Sequence, residues 1–258
     1  MNMVTYLGKI GELSLKGSNI KFFERLLVKN TKDCLKGLDL KIALFAGRLY
    51  IDCKEEDCET VENVLRHLLG ITGWARTITC EKDIESIKKA VRICAEQAKE
   101  LKKAETFKIE AKRADKSFPL NSYELAVEAA SSVYDDKFMD VDVHNPDVRI
   151  YIEVRERVFV YSDAQTGCRG LPAGCSGNGL LLLSGGLDSP VAGYRMMRRG
   201  MKVQCVYFHS YPYTSIEAQQ KVEELAAKLS LFGLNTYLNI VPFTDVQMKI
   251  KEKAPEEW

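Results

Sequence analysis

The sequence predicts two fold classes in one chain: α+β through about the first 166 residues, then α/β with a parallel sheet from residue 179 onward. Three observations carry this. Before the break, strand-like and helix-like periodicities come in orders that place two strands next to each other, which a pure βαβ chain does not do. A glycine-rich stretch from Thr166 to Gly179 then interrupts the pattern. Beyond it, short apolar runs alternate with helical segments, the signature of buried parallel strands with crossover helices.

Element by element, residues 3–10 read as a strand and 19–36 as a helix, with Ile20, Phe23, Leu26, Leu27 and Cys34 at helical spacing. Leu40–Phe45 and Arg48–Cys53 predict a hairpin across Ala46-Gly47. Residues 59–69 follow as a helix with Val61, Val64, Leu65, Leu68 and Leu69 on one side. This β-α-β-β-α order is a split β-α-β arrangement of ferredoxin type. Next come a strand over Ala75–Cys80, a long helix over 83–103, a strand over Thr106–Lys112, a helix over 121–134, and a hairpin of Val148–Val154 with Val158–Ser162. The last strands, Leu180–Leu183, Val203–Phe208 and Thr236–Val241, alternate with helices near 189–199, 215–232 and 244–252.

Composition narrows the function classes. Hydrophobic residues make up 46% and charged residues 28%, the balance of a folded soluble protein. No apolar run approaches the ~20 residues of a membrane helix, so no membrane partner is expected. The start, Met1-Asn2-Met3-Val4-Thr5-Tyr6, lacks a basic region leading into an apolar core, so no secretory signal is read. With 37 basic and 36 acidic residues the net charge is +1, and any nucleic-acid binding must rest on a local patch. The 8 cysteines have irregular spacing and no CxxC, which favours reduced thiols and a cytoplasmic location over a disulfide framework. His67, His144 and His209 are scattered, so no structural zinc site is expected.

The chemistry concentrates where the strand Leu180–Leu183 runs into Ser184-Gly185-Gly186-Leu187-Asp188-Ser189-Pro190 and then a helix. This string reads as a phosphate-binding turn. Gly185 and Gly186 let the backbone approach an anion without a side-chain clash. Ser184 and Ser189 offer hydroxyls, and the following helix aims free N–H groups and its positive end at the same place. Pro190 suits a first helical turn, and the carboxyl end of a parallel strand is where open α/β sheets bind ligands. It is neither a Walker A loop nor a GxGxxG fingerprint. Asp188 fits beside an anion when a divalent cation bridges the two. The plainer alternative is a glycine-rich turn in which Asp188 caps the helix.

The same string resembles the PP-loop of ATP pyrophosphatases, which cleave ATP to AMP and pyrophosphate while adenylating a substrate. Val203-Gln204-Cys205-Val206-Tyr207-Phe208-His209-Ser210, with Pro212, Thr214 and Ser215 after it, is similar to the corresponding segment of tRNA uridine 4-sulfurtransferases. Glu110–Leu120 and Val141–Asp147 resemble that family's THUMP domain, and Gly11-Glu12-Leu13-Ser14-Leu15-Lys16-Gly17 its N-terminal ferredoxin-like domain. The resemblance implies a ferredoxin-like domain over 1–60, a THUMP RNA-binding domain over 61–166, a linker over 167–178, and an incomplete doubly wound PP-loop domain over 179–258.

It also implies a function and a site. The family adenylates a tRNA uridine, at position eight, so that persulfide sulfur from a cysteine desulfurase replaces the C4 oxygen and 4-thiouridine forms. It also serves thiamine thiazole synthesis. The implied cofactors are ATP and Mg2+. Ser184, Gly185, Gly186, Asp188 and Ser189 would hold the phosphates, with Asp188 the catalytic residue. Leu182, Leu183, Tyr207 and Phe208 would flank the adenosine, although a buried strand accounts for the leucines and core packing for the aromatics equally well. Lys112, Arg113 and Lys116, with Phe118 beside them and Lys9 and Lys16 as additions, form the expected tRNA-binding cluster, against the alternative of a solvated charged turn. Cys168 and Cys175 are weighed as a sulfur relay against inert thiols, Cys205 as core, and His209 as a substrate contact against a backbone-bonded strand end. Met196 and Met197 read as helix packing, Arg198 and Arg199 as favourable charge at a helix C-terminus. Oligomeric state, including a homodimer, is left open.

The sequence departs from the family in stopping after the third strand of the last domain and the start of its helix. Strand Leu180–Leu183 is therefore expected at an exposed edge, and the chain alone is not expected to thiolate tRNA. Two competing readings are a tRNA-binding module with a decayed nucleotide fold and another PP-loop enzyme, against which the upstream RNA-binding segment argues.

Overall fold

A computed structural model describes residues 3–15, 17–234 and 236–254; Lys16, a candidate RNA contact, lies outside the described residues. In chain order the elements are β1 (Met3–Ile10), α1 (Ile20–Cys34), β2 (Lys41–Phe45), β3 (Arg48–Lys54), α2 (Cys58–His67), β4 (Ile71–Cys80), α3 (Ile84–Lys102), β5 (Thr106–Arg113), α4 (Ser122–Tyr134), β6 (Asp140–Val141), β7 (Val148–Val154), β8 (Val158–Tyr161) and β9 (Gln165–Thr166). They are followed by β10 (Asn178–Leu182), α5 (Asp188–Arg198), β11 (Lys202–His209), α6 (Ile216–Ser230), β12 (Leu238–Pro242) and α7 (Thr244–Lys253). The chain forms two compact units, one of Met1–Lys9, Asp39–Cys58 and Gly73–Thr166, the other of Ile10–Leu38, Glu59–Thr72 and Gly167–Trp258. No helix among the described residues is long and apolar enough to cross a membrane.

The first unit is built on a nine-stranded sheet of order β2-β3-β1-β4-β8-β7-β5-β6, with β9 paired to β4. Ala46 and Gly47 both take positive φ (45° and 75°), the two-residue turn whose twist matches that of the flanking strands β2 and β3. Helix α3 starts where the Asp83 side chain accepts from the Ser86 N–H at 2.8 Å. Helix α4 starts on a capping box between Asn121 and Glu124. On β5, Phe107, Ile109 and Ala111 face the core that α3 and α4 complete with Ile87, Val91, Leu125 and Val133. Each fully buried side chain of this size contributes about 1.5–3 kcal/mol. The face opposite α3 and α4 carries Leu7, Tyr50, Ala75, Phe159 and Tyr161 packed with Tyr151.

Strand β4 is longer than the periodicity indicates, starting at Ile71 rather than Ala75. Gly70 and Gly73 mask its beginning in the sequence, yet Ile71 and Trp74 are buried. The extension matters because Gly73 and Trp74 pair with β9 while Ile78–Cys80 pair with β8, so this one strand joins the ferredoxin-type and downstream strands into a single sheet.

In the second unit β10, β11 and β12 form a parallel sheet in that order, with Leu182 opposite Val206 and Val206 opposite Asn239. One face packs Leu183, Val203, Cys205 and Tyr207 against Met197 of α5 and Val222, Ala226 and Leu229 of α6. Strand β10 lies at the edge, as expected, and Leu180 and Leu182 are 67% and 64% exposed on its other face.

The glycine-rich stretch before β10 is ordered and clasped. The Leu171 N–H donates to the Arg198 carbonyl at 2.9 Å, and the N–H groups of Gly174 and Ser176 donate to the Gly200 carbonyl at 2.8 and 3.0 Å. The Ser176 hydroxyl donates to the Arg199 carbonyl at 2.7 Å. These bonds satisfy carbonyls that the C-terminus of α5 leaves without helical partners. Leu171, Pro172 and Ala173 are buried. The glycines supply positive φ at residues 170, 174 and 177 for a shaped path.

Candidate functional site

The turn after β10 is closed by its own two serines. Ser189 Oγ accepts from the Ser184 N–H at 3.1 Å and lies 3.2 Å from Ser184 Oγ. The Gly186 N–H donates to Ser184 Oγ at 3.4 Å. Residue 187 caps α5 without a side-chain bond, and Asp188 is already inside the first helical turn. The capping role weighed for Asp188 is therefore not the one it has. Its carboxylate is exposed, and among the described residues it has no hydrogen-bond or ion-pair partner.

Gly185 and Gly186 are informative by contrast with the clasp glycines. Neither has positive φ. A Cβ at Gly186 would sit 3.5 Å from Ser184 Oγ, and one at Gly185 would sit 3.7 Å from Lys221 Cδ, both ordinary contacts. The chain's own packing therefore leaves room for a side chain at either position. With the end of α5 behind it, the turn offers exposed amides, hydroxyls, a helix N-terminus and one free carboxylate.

The flanking residues divide by strand alternation. Leu183 and Tyr207 are buried in the core between sheet and helices, 3% and 8% exposed. Leu182 and Phe208 are on the other face, the latter 46% exposed and 5.0 Å, ring to ring, from Phe243. Only Leu182 and Phe208 thus present side chains to an open surface, while Leu183 and Tyr207 hold the strand ends in place. His209 is half-buried beside Tyr207 at 5.8 Å, and its Nε2 is buried without a hydrogen-bond partner.

In the first unit the basic candidates do not form one cluster. Lys112 is exposed on the face of β5 away from α3 and α4, opposite Glu153 in the ladder. Arg113 alternates to the other face, where its Nη1 donates to the carbonyls of Phe118 at 2.9 Å and Leu120 at 3.3 Å. Phe118 itself is buried in the helix-side core. Lys116 is exposed in the following turn, which Asp115 fixes by accepting from Ser117 and pairing with Lys82 at 2.9 Å. Those bonds hold the Asp115 carboxyl well below the ordinary carboxylate range. Lys9 lies on the face of Lys112, 5.3 Å from each of the stacked rings of Tyr151 and Tyr161. Burial lowers its pKa, while the nearby Glu153 pulls the other way.

Glu153 is the residue the sequence concealed. It is 2% exposed and accepts from Arg48, from Arg155 at 2.9 Å and from the Tyr161 hydroxyl at 2.9 Å. In the sequence it is one charge among alternating residues of a strand, with no signal of burial.

The cysteines are all free. Burial pushes Cys94 to about 12 and Cys80 to about 11, and burial with the neighbouring Cys58 pushes Cys53 to about 12. Cys168, which donates to the Arg66 carbonyl at 3.0 Å, is likewise raised by burial, so it is poorly suited to act as a thiolate relay. Cys205 is buried in the core, as expected.

Comparison with known proteins places these features in a family. Residues 5–75 match the ThiI ferredoxin-like domain, residues 81–163 the THUMP domain, and residues 174–258 the family described as thiamine biosynthesis protein (ThiI). A probable tRNA sulfurtransferase of Treponema pallidum (strain Nichols) is 49% identical over 97% of this chain and 63% of its own length. One from Caldanaerobacter subterraneus subsp. tengcongensis is 45% identical over 96% of this chain and 64% of its own length. The chain thus spans a little under two thirds of these relatives. Among solved structures, a 4-thiouridine synthetase–RNA complex with bound ATP aligns with a TM-score of 0.87 at 33% identity, covering 99% of this chain and 66% of that one. A protein of Pyrococcus horikoshii Ot3 aligns with a TM-score of 0.80 at 25% identity, covering 96% and 82%. With all three domain models matched in order along a single chain, the protein belongs to the ThiI family.

Proposed function

We propose that this chain serves ATP-dependent thiolation of tRNA, with the turn Ser184–Ser189 holding the phosphates of ATP and the first two domains docking the tRNA. The observation that carries the reading is the turn itself: exposed amides and hydroxyls at the start of α5, two glycines where the chain's packing leaves room for a side chain, and an Asp188 carboxylate without a partner among the described residues. The family membership and the ATP and RNA bound by the solved 4-thiouridine synthetase support it.

In this reading Leu182 and Phe208 present apolar surface to the adenosine, with Leu183 and Tyr207 fixing the strand ends beneath it. Asp188 suits a magnesium ion. Among the described residues no three His, Cys, Asp or Glu side chains come together, so the ion would rest on one carboxylate and the phosphate oxygens, its common arrangement at nucleotide sites. There it would neutralise charge on the departing pyrophosphate.

The chemistry addresses a poor leaving group. The uracil O4 attacks the α-phosphorus and the bond to pyrophosphate breaks. Persulfide sulfur then adds to C4, the C4–O bond breaks, and AMP departs. A second thiol cleaves the S–S bond to free 4-thiouridine. Amides and hydroxyls fixed at the turn stabilise the charge developing on pyrophosphate without reorganising. The uridine at position eight, a cysteine desulfurase as sulfur source, and a contribution to thiamine thiazole synthesis are the family's properties, proposed here for this protein.

Titration calorimetry with ATP and magnesium, alongside tRNA binding, tests the reading. Saturable binding of both supports it. Affinity for tRNA without affinity for ATP would leave an RNA-docking scaffold in its place.

A further inference from the structure

We infer that Lys221, on helix α6, supplies a cationic contact to the phosphates at the Ser184–Ser189 turn, an assignment that rests on the nucleotide reading above. The turn has an electrostatic deficit. It offers amides, hydroxyls and the end of a helix dipole, but the string Ser184–Pro190 contains no lysine or arginine and adds the negative charge of Asp188. Phosphate loops of the Walker type carry a lysine of their own. Here the neighbour of Gly185 from outside the turn is Lys221, whose Cδ would lie 3.7 Å from a Cβ at that glycine. The ammonium is two bonds further along the same side chain, within reach of an anion seated on the turn.

Two further observations separate this lysine from an ordinary helix-surface charge. The next residue, Val222, is 1% exposed in the core with Ala226 and Leu229, which fixes the rotation of α6 and with it the side from which Lys221 projects. Glu217 and Glu224, one helical turn to either side, stand where pairing with it is geometrically ordinary. Neither does so, and among the described residues Lys221 has no hydrogen-bond or ion-pair partner. The basic residues of α5, Arg195 and Arg198, belong to its last turn, at the end remote from the phosphate turn.

The test is calorimetry of ATP with magnesium, and of adenosine, against wild type, Lys221→Met and Lys221→Arg. A charge-assisted contact predicts that Lys221→Met weakens ATP about tenfold, leaves adenosine unchanged, and is largely rescued by arginine. ATP affinity equal to wild type, or the same loss for ATP and adenosine, overturns the assignment, since a merely structural lysine would not distinguish the two ligands. If wild type binds ATP no better than adenosine, or binds neither, the phosphate reading of the turn fails and this inference fails with it. Wild-type preference for ATP that survives in Lys221→Met removes the lysine alone.

Discussion

The guanidinium of Arg48 holds the carboxylate of Glu153 through two parallel bonds, Nε to Oε2 and Nη2 to Oε1, each 3.1 Å. Arg155 and Tyr161 also donate to the carboxylate, while Arg48 Nη1 donates to the Gly47 carbonyl and Arg155 Nη1 to that of Ala46. The network therefore ties the β2–β3 turn to β7. Burial alone would raise the Glu153 pKa, but the Arg48, Arg155 and Tyr161 bonds outweigh it and bring it below the usual value. Glu153→Gln keeps the shape and leaves two arginines facing each other, so it should cost about 3 kcal/mol, seen as a lower urea midpoint with an unchanged slope. Because the folded-state pKa is depressed, the native contribution is complete above the unfolded value of about 4.3 and is lost as pH falls through the folded one. The gap between wild type and variant should narrow on acidification. A gap independent of pH would show that the charge of Glu153 is not what stabilises the network.

Asp188→Asn separates stability from function. The carboxylate is exposed and without a partner among the described residues, so its loss should change stability by less than about 0.5 kcal/mol. If it holds magnesium against the phosphates, wild-type ATP affinity should rise with added magnesium and that of the variant should not. Equal magnesium dependence in the two proteins would move the metal elsewhere.

The two lysines and the arginine of the basic segment should behave differently under substitution. Lys112→Ala and Lys116→Ala, at exposed positions, should weaken tRNA binding and reduce the slope of log affinity against log salt by about one unit each, with little effect on melting. Arg113→Ala breaks two bonds to the Phe118 and Leu120 carbonyls. It should destabilise the protein by about 1–3 kcal/mol, and any loss of tRNA affinity should come with that change. Filter binding across a salt series, with melting of each variant, distinguishes the cases. Unchanged tRNA affinity in both lysine variants would take these side chains out of the interface.

What was legible in the sequence was periodicity and local chemistry. The strand expected over Val148–Val154 and the helix expected over 83–103 survive as β7 and α3 within a residue or two. The Ser184–Ser189 turn is found between strand and helix, because each of its features is local. What could not be read is whatever depends on distant pairing. The two-residue strands β6 and β9 are too short to carry a period, and the pairing of β9 with Gly73 and Trp74 brings together segments about ninety residues apart in a chain where nothing local marks the match. Glu153 and Lys221 were invisible for the same reason: a carboxylate in an alternating strand and a lysine on an amphipathic helix look solvated until the fold supplies their neighbours. Adjacent charges misled in the opposite sense, since Lys112 and Arg113 form a cluster in sequence but take opposite faces of β5.

The glycines of residues 167–178 read as a linker, and the fold gives that linker a shaped path. At Gly170, φ is +75° and an added Cβ would collide with the Arg198 carbonyl, the group that accepts from the Leu171 N–H. Gly174 also has positive φ, +93°, but nothing lies within 4 Å of an added Cβ. Both alanine variants should therefore bear the left-handed backbone penalty of about 1–2 kcal/mol, and only Gly170→Ala should in addition force the clasp away from the end of α5. The expected order of stability is wild type, Gly174→Ala, Gly170→Ala, with the last step accompanied by faster amide exchange at Leu171, Gly174 and Ser176. Equal losses in the two variants, with exchange at those amides unchanged, would mean that the bonds to Arg198 and Gly200 do not hold the segment.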